Sequence, residues 1–240
     1  MKAFILAAGL GTRLRPLTDK TPKALIQING VTLVEIIIKR LISFGFDSII
    51  INVHHYADQV INFIQAKNYF GIDIEFSDER KLLLDTGGGL KKASAFFNDQ
   101  KPFLVHNVDI LSDINLTELY NYHLTSTSIA TLAVQNRKSS RYFLFDDEKN
   151  LCGWKNENTL ETKITRQPAG TLTHFAFSGI QVINPKIFPF MPKNNIFSLV
   201  DLYLSIASKE QISYFDHSRS LFLDLGKKEN IAQAEKIYQK

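Results

Sequence analysis

The sequence contains little of what several large protein classes require. Cys152 is the only cysteine among 240 residues, which excludes an intramolecular disulfide and a cysteine-based metal cluster. The apolar run 3–10 is too short to span a bilayer, and glycines and arginines follow it where a signal peptide would have a cleavage site. The net charge of +4 is mild and no segment concentrates lysine and arginine. We therefore expect a cytoplasmic protein with no nucleic-acid partner and no membrane partner.

The spacing of apolar residues predicts an α/β domain. In the first half, strand-like runs at 3–8, 48–53, 72–77 and 103–106 alternate with helical patterns at 33–44, 57–67 and 90–97. This alternation is typical of a parallel sheet with helices on both faces. Strand-like runs dominate after residue 128, and two helical patterns follow them: strands 129–134, 142–145 and 175–183, helices 198–208 and 229–238. No linker or repeat interrupts the chain, so we predict a single domain over residues 1–240.

The segment MKAFILAAGLGTRLRPLTDKTPK, residues 1–23, predicts a site for a nucleoside triphosphate. A strand-like run leads into a glycine-containing turn, an arginine follows, and a lysine comes after a proline. Glycines let the backbone approach a polyphosphate and point N–H groups at it. Arginine and lysine can stabilise a leaving pyrophosphate. The predicted nucleotide contacts in this segment are Ala8, Gly9, Gly11, Thr12, Arg13 and Lys23.

Two better-known glycine loops are excluded. The dinucleotide-binding fingerprint needs a third glycine three residues after the second of its pair, and that position is Leu14. The P-loop of ATPases needs Gly-Lys followed by Ser or Thr, which does not occur in the sequence.

The string LAAGLGTRLRPLT, together with TPKAL, resembles the signature of the sugar-phosphate nucleotidyltransferases. These enzymes join a nucleoside triphosphate and a sugar 1-phosphate into a nucleotide sugar and release pyrophosphate. The resemblance continues through DTGGG at 85–89, HNVD at 106–109, FSGI at 177–180 and LDLG at 223–226. Within the superfamily, the triple glycine and the short length make the chain most similar to the N-acetylmuramate alpha-1-phosphate uridylyltransferases.

The resemblance implies a fold and indicates which half of the chain binds which substrate. We expect a Rossmann-like mixed, mostly parallel sheet flanked by helices, of the nucleotide-diphospho-sugar transferase type. The C-terminal β-helix domain of longer family members is expected to be absent. Residues from 1 to about 127 would form the nucleotide-binding half, and residues from about 128 to 240 the sugar-binding half.

By resemblance, Asp109 and Asp224 are the ligands of a Mg²⁺ cofactor. Each follows an apolar run, and ligands of open α/β sheets bind outside the carboxyl ends of strands. Two carboxylates there could meet on one Mg²⁺, which takes oxygen ligands and keeps contact with substrate phosphates. Taken alone, each aspartate is better explained as a solvated loop residue, and it is the resemblance that favours a metal ligand. The chain also departs from most family members, which have glycine where Val108 stands.

The implied reaction is an in-line attack of a sugar-phosphate oxygen on the α-phosphorus of the nucleotide. The nucleophile is already an anion near neutral pH, so orientation and charge stabilisation carry catalysis without a general base. Arg13 would hold the β- and γ-phosphates. Lys23 would contact the α-phosphate and the attacking phosphate. Arg13, Lys23, Asp109 and Asp224 are therefore the predicted catalytic residues.

Contacts with the base and the acceptor are predicted in the same way. Glu79 lies in the loop that faces the base by resemblance, where a carboxylate accepts the N3–H of uracil or thymine. The backbone N–H groups of Gly87 and Gly88 precede the helical pattern 90–97 and would bind the uracil edge or a phosphate. A plain turn is the alternative for these glycines. The predicted acceptor-binding residues are Asn107, Lys155, Ser178 and Gly179.

Together these expectations describe a uridylyltransferase that uses UTP, N-acetylmuramate 1-phosphate and Mg²⁺, as a monomer or small homo-oligomer. Its product would enter cell-wall precursor synthesis through peptidoglycan recycling. Other substrate pairs remain open: glucose 1-phosphate with dTTP or UTP, mannose 1-phosphate with GTP, and phosphocholine with CTP. A non-catalytic nucleotide-sugar-binding subunit is an alternative from another class. Loss of a predicted catalytic residue would mark such a subunit, and all four are present.

Overall fold

A computed structural model describes residues 1–237. Its strands are β1 Lys2–Leu6, β2 Gln27–Ile28, β3 Val31–Thr32, β4 Ser48–Val53, β5 Asp73–Asp78, β6 Phe103–Asn107, β7 Ile110–Ser112, β8 Ala130–Gln135, β9 Arg141–Phe145, β10 Leu151–Asn156, β11 Glu161–Ile164, β12 Thr173–Ile183, β13 Ile212–Asp216 and β14 Phe222–Asp224. The α-helices are α1 Leu33–Ser43, α2 Ala57–Ala66, α3 Asp85–Lys92, α4 Leu116–Leu124, α5 Leu199–Ile206 and α6 Lys228–Ile237. Tyr238, the last residue of the predicted helix 229–238, lies outside the described residues.

The chain divides into two compact units, each built from separate stretches of sequence. The first unit contains Met1–Leu84, Val105–Asp113 and the segment that begins at Leu221. Its strands β1, β4 and β5 run parallel, and β4 lies between β1 and β5. Strand β4 is buried along nearly its whole length, as expected for a parallel strand with helices over both faces.

Helix α1 shows how the sequence sets the helix ends in this unit. The Thr32 side chain accepts a hydrogen bond from Glu35 N at 3.3 Å, which caps the first turn. Gly45 follows the helix with φ near 80°, and its N–H donates to Ile42 O at 2.9 Å. The apolar side of α1, including Ile37, is fully buried. The predicted helix over 33–44, closed by Gly45, is confirmed.

A two-stranded ribbon of β7 and β14 joins distant parts of the first unit. The strands are antiparallel, with Leu223 opposite Leu111 and Asp224 opposite Ile110. Leu225 N donates to Asp109 O at 2.8 Å and extends this pairing. The ribbon therefore brings the segment that begins at Leu221 back to the end of β6.

The second unit contains Asp85–Leu104 and Ile114–Ser220. Strand β12 pairs antiparallel with β8 and β9, β10 pairs antiparallel with β9 and β11, and β13 runs parallel to β8. The register between β12 and β8 shifts between Phe177 and Gln181, which makes a bulge that contains Gly179 with φ near 71°. Packed rings of Phe145, Phe175 and Tyr214 contribute to the core.

The predicted fold class is confirmed: a Rossmann-like mixed sheet flanked by helices, with no β-helix among residues 1–237. The two units differ from the predicted halves 1–127 and 128–240. Asp85–Leu104 and residues 114–127 belong to the second unit, and the segment from Leu221 belongs to the first. The assignment of those halves to nucleotide and sugar stays a prediction. Within residues 1–237, no helix combines the length and the apolar character that crossing a bilayer requires.

One helix start was predicted wrongly. The pattern 90–97 predicts a single helix that begins after the triple glycine. Instead α3 begins at Asp85 and includes the three glycines, and a separate 3-10 helix covers Ser94–Phe97. Glycine is a poor helix former, so its local propensity gives no signal for a helix here.

Candidate active site

Charged groups of the first unit converge beside Gly226. A Cβ built on Gly226 would lie 2.7 Å from Arg13 Nη2, 2.8 Å from Asp224 Oδ1 and 3.0 Å from Asp109 Oδ2. A guanidinium and two carboxylates are thus gathered around one point that only a residue without a side chain leaves open. The structure brings together the predicted Arg13, Asp109 and Asp224. The requirement for Gly226 was missed, although the LDLG motif contains it.

Lys23 completes this cluster through an ion pair with Asp109. Its Nζ donates a hydrogen bond to Asp109 Oδ2. The exposed fraction is 11% for the Lys23 side chain and 14% for the Asp109 side chain, so the pair is largely shielded from water. Lys23 opens a 3-10 helix for which Pro22 is the N-cap. The proline therefore sets the backbone from which the lysine reaches Asp109.

The glycine loop lies between β1 and this cluster in the sequence. Gly11 has φ near 65°, and a Cβ there would lie 2.8 Å from Thr18 Cγ2. Thr18 Oγ1 donates to Gly11 O at 2.9 Å and holds the turn closed. A Cβ on Gly9 would meet no protein atom within 4 Å. Gly9, like Thr12 and Arg13, is exposed, as a loop that receives a polyphosphate requires.

Asn107 and Val108 lead from β6 into Asp109. Val108 is buried and its N–H donates to Leu6 O at 3.1 Å, so valine fits where most family members have glycine. Asn107 is partly exposed, and its carbonyl oxygen lies 2.8 Å from His106 Nδ1. Burial lowers the pKa of His106 to about 4, with the nearby Arg40 charge acting in the same direction. His106 is therefore neutral at physiological pH.

Glu79 is buried in a hydrogen-bond network of the first unit. It is 1% exposed, its Oε1 accepts from Asn52 Nδ2 at 2.8 Å, and its Oε2 accepts from Leu84 N at 3.1 Å. Asn52 Oδ1 in turn accepts from the N–H groups of Ala7 and Ala8. The geometry supports a role for Glu79 in holding the loop after β5. A direct contact with the base stays a prediction.

Asn52 was not predicted, although the sequence carries a signal for it. It is the only amide side chain of β4, SIIINV, and it interrupts the apolar run that follows Ser48. A buried polar residue in such a strand needs hydrogen-bond partners, and here they come from the end of β1 and from Glu79.

The donor set fits a divalent cation of the Mg²⁺ type. Asp109 and Asp224 offer carboxylate oxygens around the point left open by Gly226. Residues 1–237 contain no group of three or more His, Cys, Asp or Glu side chains arranged to hold a metal ion. Mg²⁺ is usually bound through one or two carboxylates together with substrate phosphates and water. Two carboxylates next to a glycine loop match that mode of binding.

The triple glycine of the second unit makes a contact within the protein. Both Gly87 N and Gly88 N donate to Phe197 O, at 2.9 and 3.1 Å. A Cβ on Gly87 would lie 2.9 Å from Phe197 O and would also overlap the Phe197 ring. The two N–H groups predicted to bind a base or phosphate are therefore engaged by Phe197, and packing against this residue explains a glycine at position 87.

The predicted acceptor residues of the second unit contact other groups of the protein. Ser178 and Gly179 are buried in the bulge of β12, and Ser178 Oγ lies 2.8 Å from His217 Nε2. Lys155 is partly exposed on β10 and forms an ion pair with Glu157 at 2.9 Å. These positions give no direct support to contacts with a sugar, which stay predictions.

Comparison with curated proteins gives relatives that are named as uridylyltransferases. The chain is 30% identical to the N-acetylmuramate alpha-1-phosphate uridylyltransferase of Neisseria meningitidis, over 94% of this chain and 93% of that protein. It is 29% identical to the UTP–glucose-1-phosphate uridylyltransferase of Synechocystis, over 98% of this chain. The match covers only 62% of the Synechocystis protein, so this chain spans less than two thirds of that relative.

Comparison with solved structures supports the fold. The crystal structure of HddC from Yersinia pseudotuberculosis, complexed with GMP-PN, superposes with a TM-score of 0.79, covers 99% of each chain and is 21% identical. At that identity the likeness concerns the fold alone. The model of the family described as Nucleotidyl transferase matches residues 2–240. With the family signature carried by the clustered Arg13 and Lys23, that match shows that the chain belongs to the nucleotidyl transferase family.

Proposed function

We propose that this protein transfers a uridylyl group from UTP to a sugar 1-phosphate, with N-acetylmuramate 1-phosphate as the leading acceptor. The observation that carries the proposal is the cluster of two cations and two carboxylates in the first unit. Arg13, Asp109 and Asp224 surround one point beside Gly226, and Lys23 contacts Asp109. Cations for phosphates and carboxylates for a divalent ion are the groups that nucleotidyl transfer requires.

In the proposed reaction, an oxygen of the sugar phosphate forms a bond to the α-phosphorus of UTP. The bond from that phosphorus to the oxygen bridging to the β-phosphate breaks, and pyrophosphate leaves with the electron pair. The attacking oxygen is anionic, so no side chain has to remove a proton. Mg²⁺, held by Asp109 and Asp224, supplies charge neutralisation when bound.

The cationic side chains orient the phosphates in this scheme. Arg13 is exposed on the 3-10 helix after the glycine loop, from which its guanidinium can grip the β- and γ-phosphates with two N–H groups. Lys23 carries a compact charge suited to the α-phosphate and the incoming phosphate, whose mutual repulsion it lowers. Both residues contribute by position and charge.

The choice of base and acceptor rests on the relatives. The Neisseria relative carries the name of an N-acetylmuramate 1-phosphate uridylyltransferase, which supports UTP and a muramate acceptor. The Synechocystis relative is named for glucose 1-phosphate, so that acceptor is the main alternative. We further propose that the enzyme acts in the cytoplasm, where UTP is available, and supplies a nucleotide sugar for cell-wall precursors. A monomer or small homo-oligomer would suffice for this activity.

Pyrophosphate release tests the proposal directly. The purified chain is incubated with Mg²⁺ and each of UTP, dTTP, CTP, GTP and ATP, against a panel of sugar 1-phosphates and phosphocholine. The Asp109→Asn and Asp224→Asn variants, checked for folding, serve as controls. We expect turnover with UTP and N-acetylmuramate 1-phosphate, and its loss in both variants.

Each other outcome has a defined meaning. Turnover with a different pair would contradict the proposed substrates and would still support the proposed type of reaction. Full turnover in a folded Asp109→Asn variant would remove that residue from the metal site. Nucleotide binding without turnover for any pair would favour a non-catalytic nucleotide-sugar-binding subunit.

A further inference from the structure

The ion pair between Lys23 and Asp109 joins two groups to which the proposed reaction gives different partners. Asp109 would bind the divalent cation, and Lys23 would bind a phosphate. In the structure they bind each other, with exposed fractions of only 11% and 14%. Binding of each group to its partner in the reaction therefore competes with this pair.

We propose that Lys23 is the resident counter-ion of the metal site. In the ligand-free protein it neutralises Asp109, and it exchanges this carboxylate for a nucleotide phosphate when a divalent cation and the nucleotide bind together. The proposal rests on the proposed function and adds the order of binding. The divalent cation enters with the nucleotide, because alone it would have to compete with Lys23.

The balance of charge in the cluster supports this assignment. Asp109 and Asp224 carry two negative charges, and Lys23 and Arg13 carry two positive charges around the same point. Burying a charge is costly unless an opposite charge lies beside it. A divalent cation alone on Asp109 would displace Lys23, leave its shielded ammonium without a partner and place two like charges close together. Binding of the cation alone is therefore weak.

The nucleotide removes both penalties. Its phosphates accept the ammonium that leaves Asp109, and their negative charge offsets the charge that the divalent cation brings. The protein offers the cation two carboxylates, and Mg²⁺ bound through one or two carboxylates usually completes its coordination with substrate phosphates and water. Cation and nucleotide binding are consequently coupled, and the coupling is reciprocal.

Binding measurements on the whole chain test this coupling without turnover. Mn²⁺ binding is followed by the loss of the free-ion electron paramagnetic resonance signal, for the wild type, Lys23→Gln and the matched control Lys20→Gln. Lys20 is an exposed cation in the same segment. We expect Lys23→Gln to bind Mn²⁺ alone about ten-fold more tightly than the other two proteins, because its carboxylate is no longer paired.

The second arm measures UTP affinity by calorimetry, with EDTA and with excess Mn²⁺. In the wild type and Lys20→Gln, Mn²⁺ should strengthen UTP binding strongly. In Lys23→Gln that enhancement should be about ten-fold smaller. Complex formation between Mn²⁺ and UTP in solution is common to all three proteins and cancels in the comparison. A general loss of structure would weaken all binding and could not tighten Mn²⁺ binding.

Two results would overturn the counter-ion role: tight Mn²⁺ binding to the wild type without nucleotide, or unchanged Mn²⁺ affinity in folded Lys23→Gln. If Lys23→Gln does not fold, the test uses the wild type and Lys23→Arg. Both proteins keep a cation beside Asp109, so both must bind Mn²⁺ alone weakly, and tight binding by either would overturn the counter-ion role. The proposed function fails on a separate result, absence of pyrophosphate release in the wild type. The two failures are therefore distinguishable.

Discussion

The side chains of Asn52 and Glu79 are joined by a buried hydrogen bond of 2.8 Å, from Asn52 Nδ2 to Glu79 Oε1. The amide oxygen of Asn52, Oδ1, accepts hydrogen bonds from the N–H groups of Ala7 and Ala8, at 2.6 and 3.2 Å. One side chain thus connects the start of the glycine loop to the loop after β5. Two segments predicted to surround the nucleotide are set relative to each other by this amide.

Replacing Asn52 with leucine should destabilise the protein and weaken nucleotide use. The change keeps the number and the branching of the side-chain heavy atoms but leaves two backbone donors and one carboxylate oxygen without Asn52. Each buried polar group left unsatisfied costs about 1–3 kcal/mol, so we expect the three groups together to lower the free energy of unfolding by at least about 3 kcal/mol. Urea denaturation measures the loss, and the KM for the nucleotide should rise.

The control for this variant is Asn62→Leu, at an exposed position of α2. Its free energy of unfolding should change by less than about 0.5 kcal/mol. Equal losses in the two variants would show that the amide network contributes nothing specific.

Gly226→Ala should remove activity while leaving the fold largely intact. The added methyl would lie within 3.0 Å of Arg13 Nη2 and of oxygens of Asp109 and Asp224, so these groups have to move apart. Misplacing reacting groups by about 1 Å can cost about 100-fold in rate. We expect a loss of that order in kcat/KM for pyrophosphate release, with a small change in Tm. Lys227→Ala, at the exposed next position, is the control and should keep its rate.

Much of the fold could be predicted because it depends on local pattern. Buried strands such as β4 and capped helices such as α1 are visible as runs and spacings of apolar residues. The meeting of Asp109 and Asp224 was predicted from the carboxyl ends of strands in an open sheet. In the structure it comes from the antiparallel ribbon of β7 and β14, in which Asp224 lies opposite Ile110, the residue after Asp109.

What could not be predicted depends on contacts between residues far apart in the sequence. The same glycine can serve a ligand or a neighbouring ring, and only the structure shows that Phe197 lies against Gly87. The partners of Asn52 and the ion pair of Lys23 are likewise long-range contacts. Residue type limits such contacts without determining them.

Gly87→Ala distinguishes a packing role from a ligand role for the triple glycine. The methyl would overlap the Phe197 ring, and overpacking of this kind costs about 1–3 kcal/mol. We expect that loss in the free energy of unfolding. In the background of Phe197→Ala, which removes the ring, the same change should cost clearly less. A double-mutant cycle from urea denaturation gives the coupling between the two positions. If the two changes in unfolding free energy are additive and Gly87→Ala mainly weakens nucleotide binding, the glycine serves the ligand and not the packing.

Acid should destabilise the protein through two buried histidines, His106 and His123. Burial is the main cause that lowers the pKa of each to about 4, from the ordinary value of 6.5. Between these values the unfolded chain holds a proton on each ring and the folded chain does not. The stability contributed by the neutral rings is thus present above the unfolded pKa. It is lost as the pH falls from 6.5 towards 4, by up to about 1.4 kcal/mol per pH unit for each histidine.

Removing one of the two histidines isolates this effect. His123 Nδ1 lies 2.9 Å from Thr131 Oγ1, and glutamine keeps a polar atom for that contact without titrating. We expect His123→Gln to reduce the slope of unfolding free energy against pH by about 1 kcal/mol per pH unit at most, measured by urea denaturation between about pH 7 and about pH 4.5. The carboxyls of Glu35, Asp47 and Asp146 have lowered pKa values and add losses at the acid end in every variant. The wild-type slope in His123→Gln would contradict the assignment.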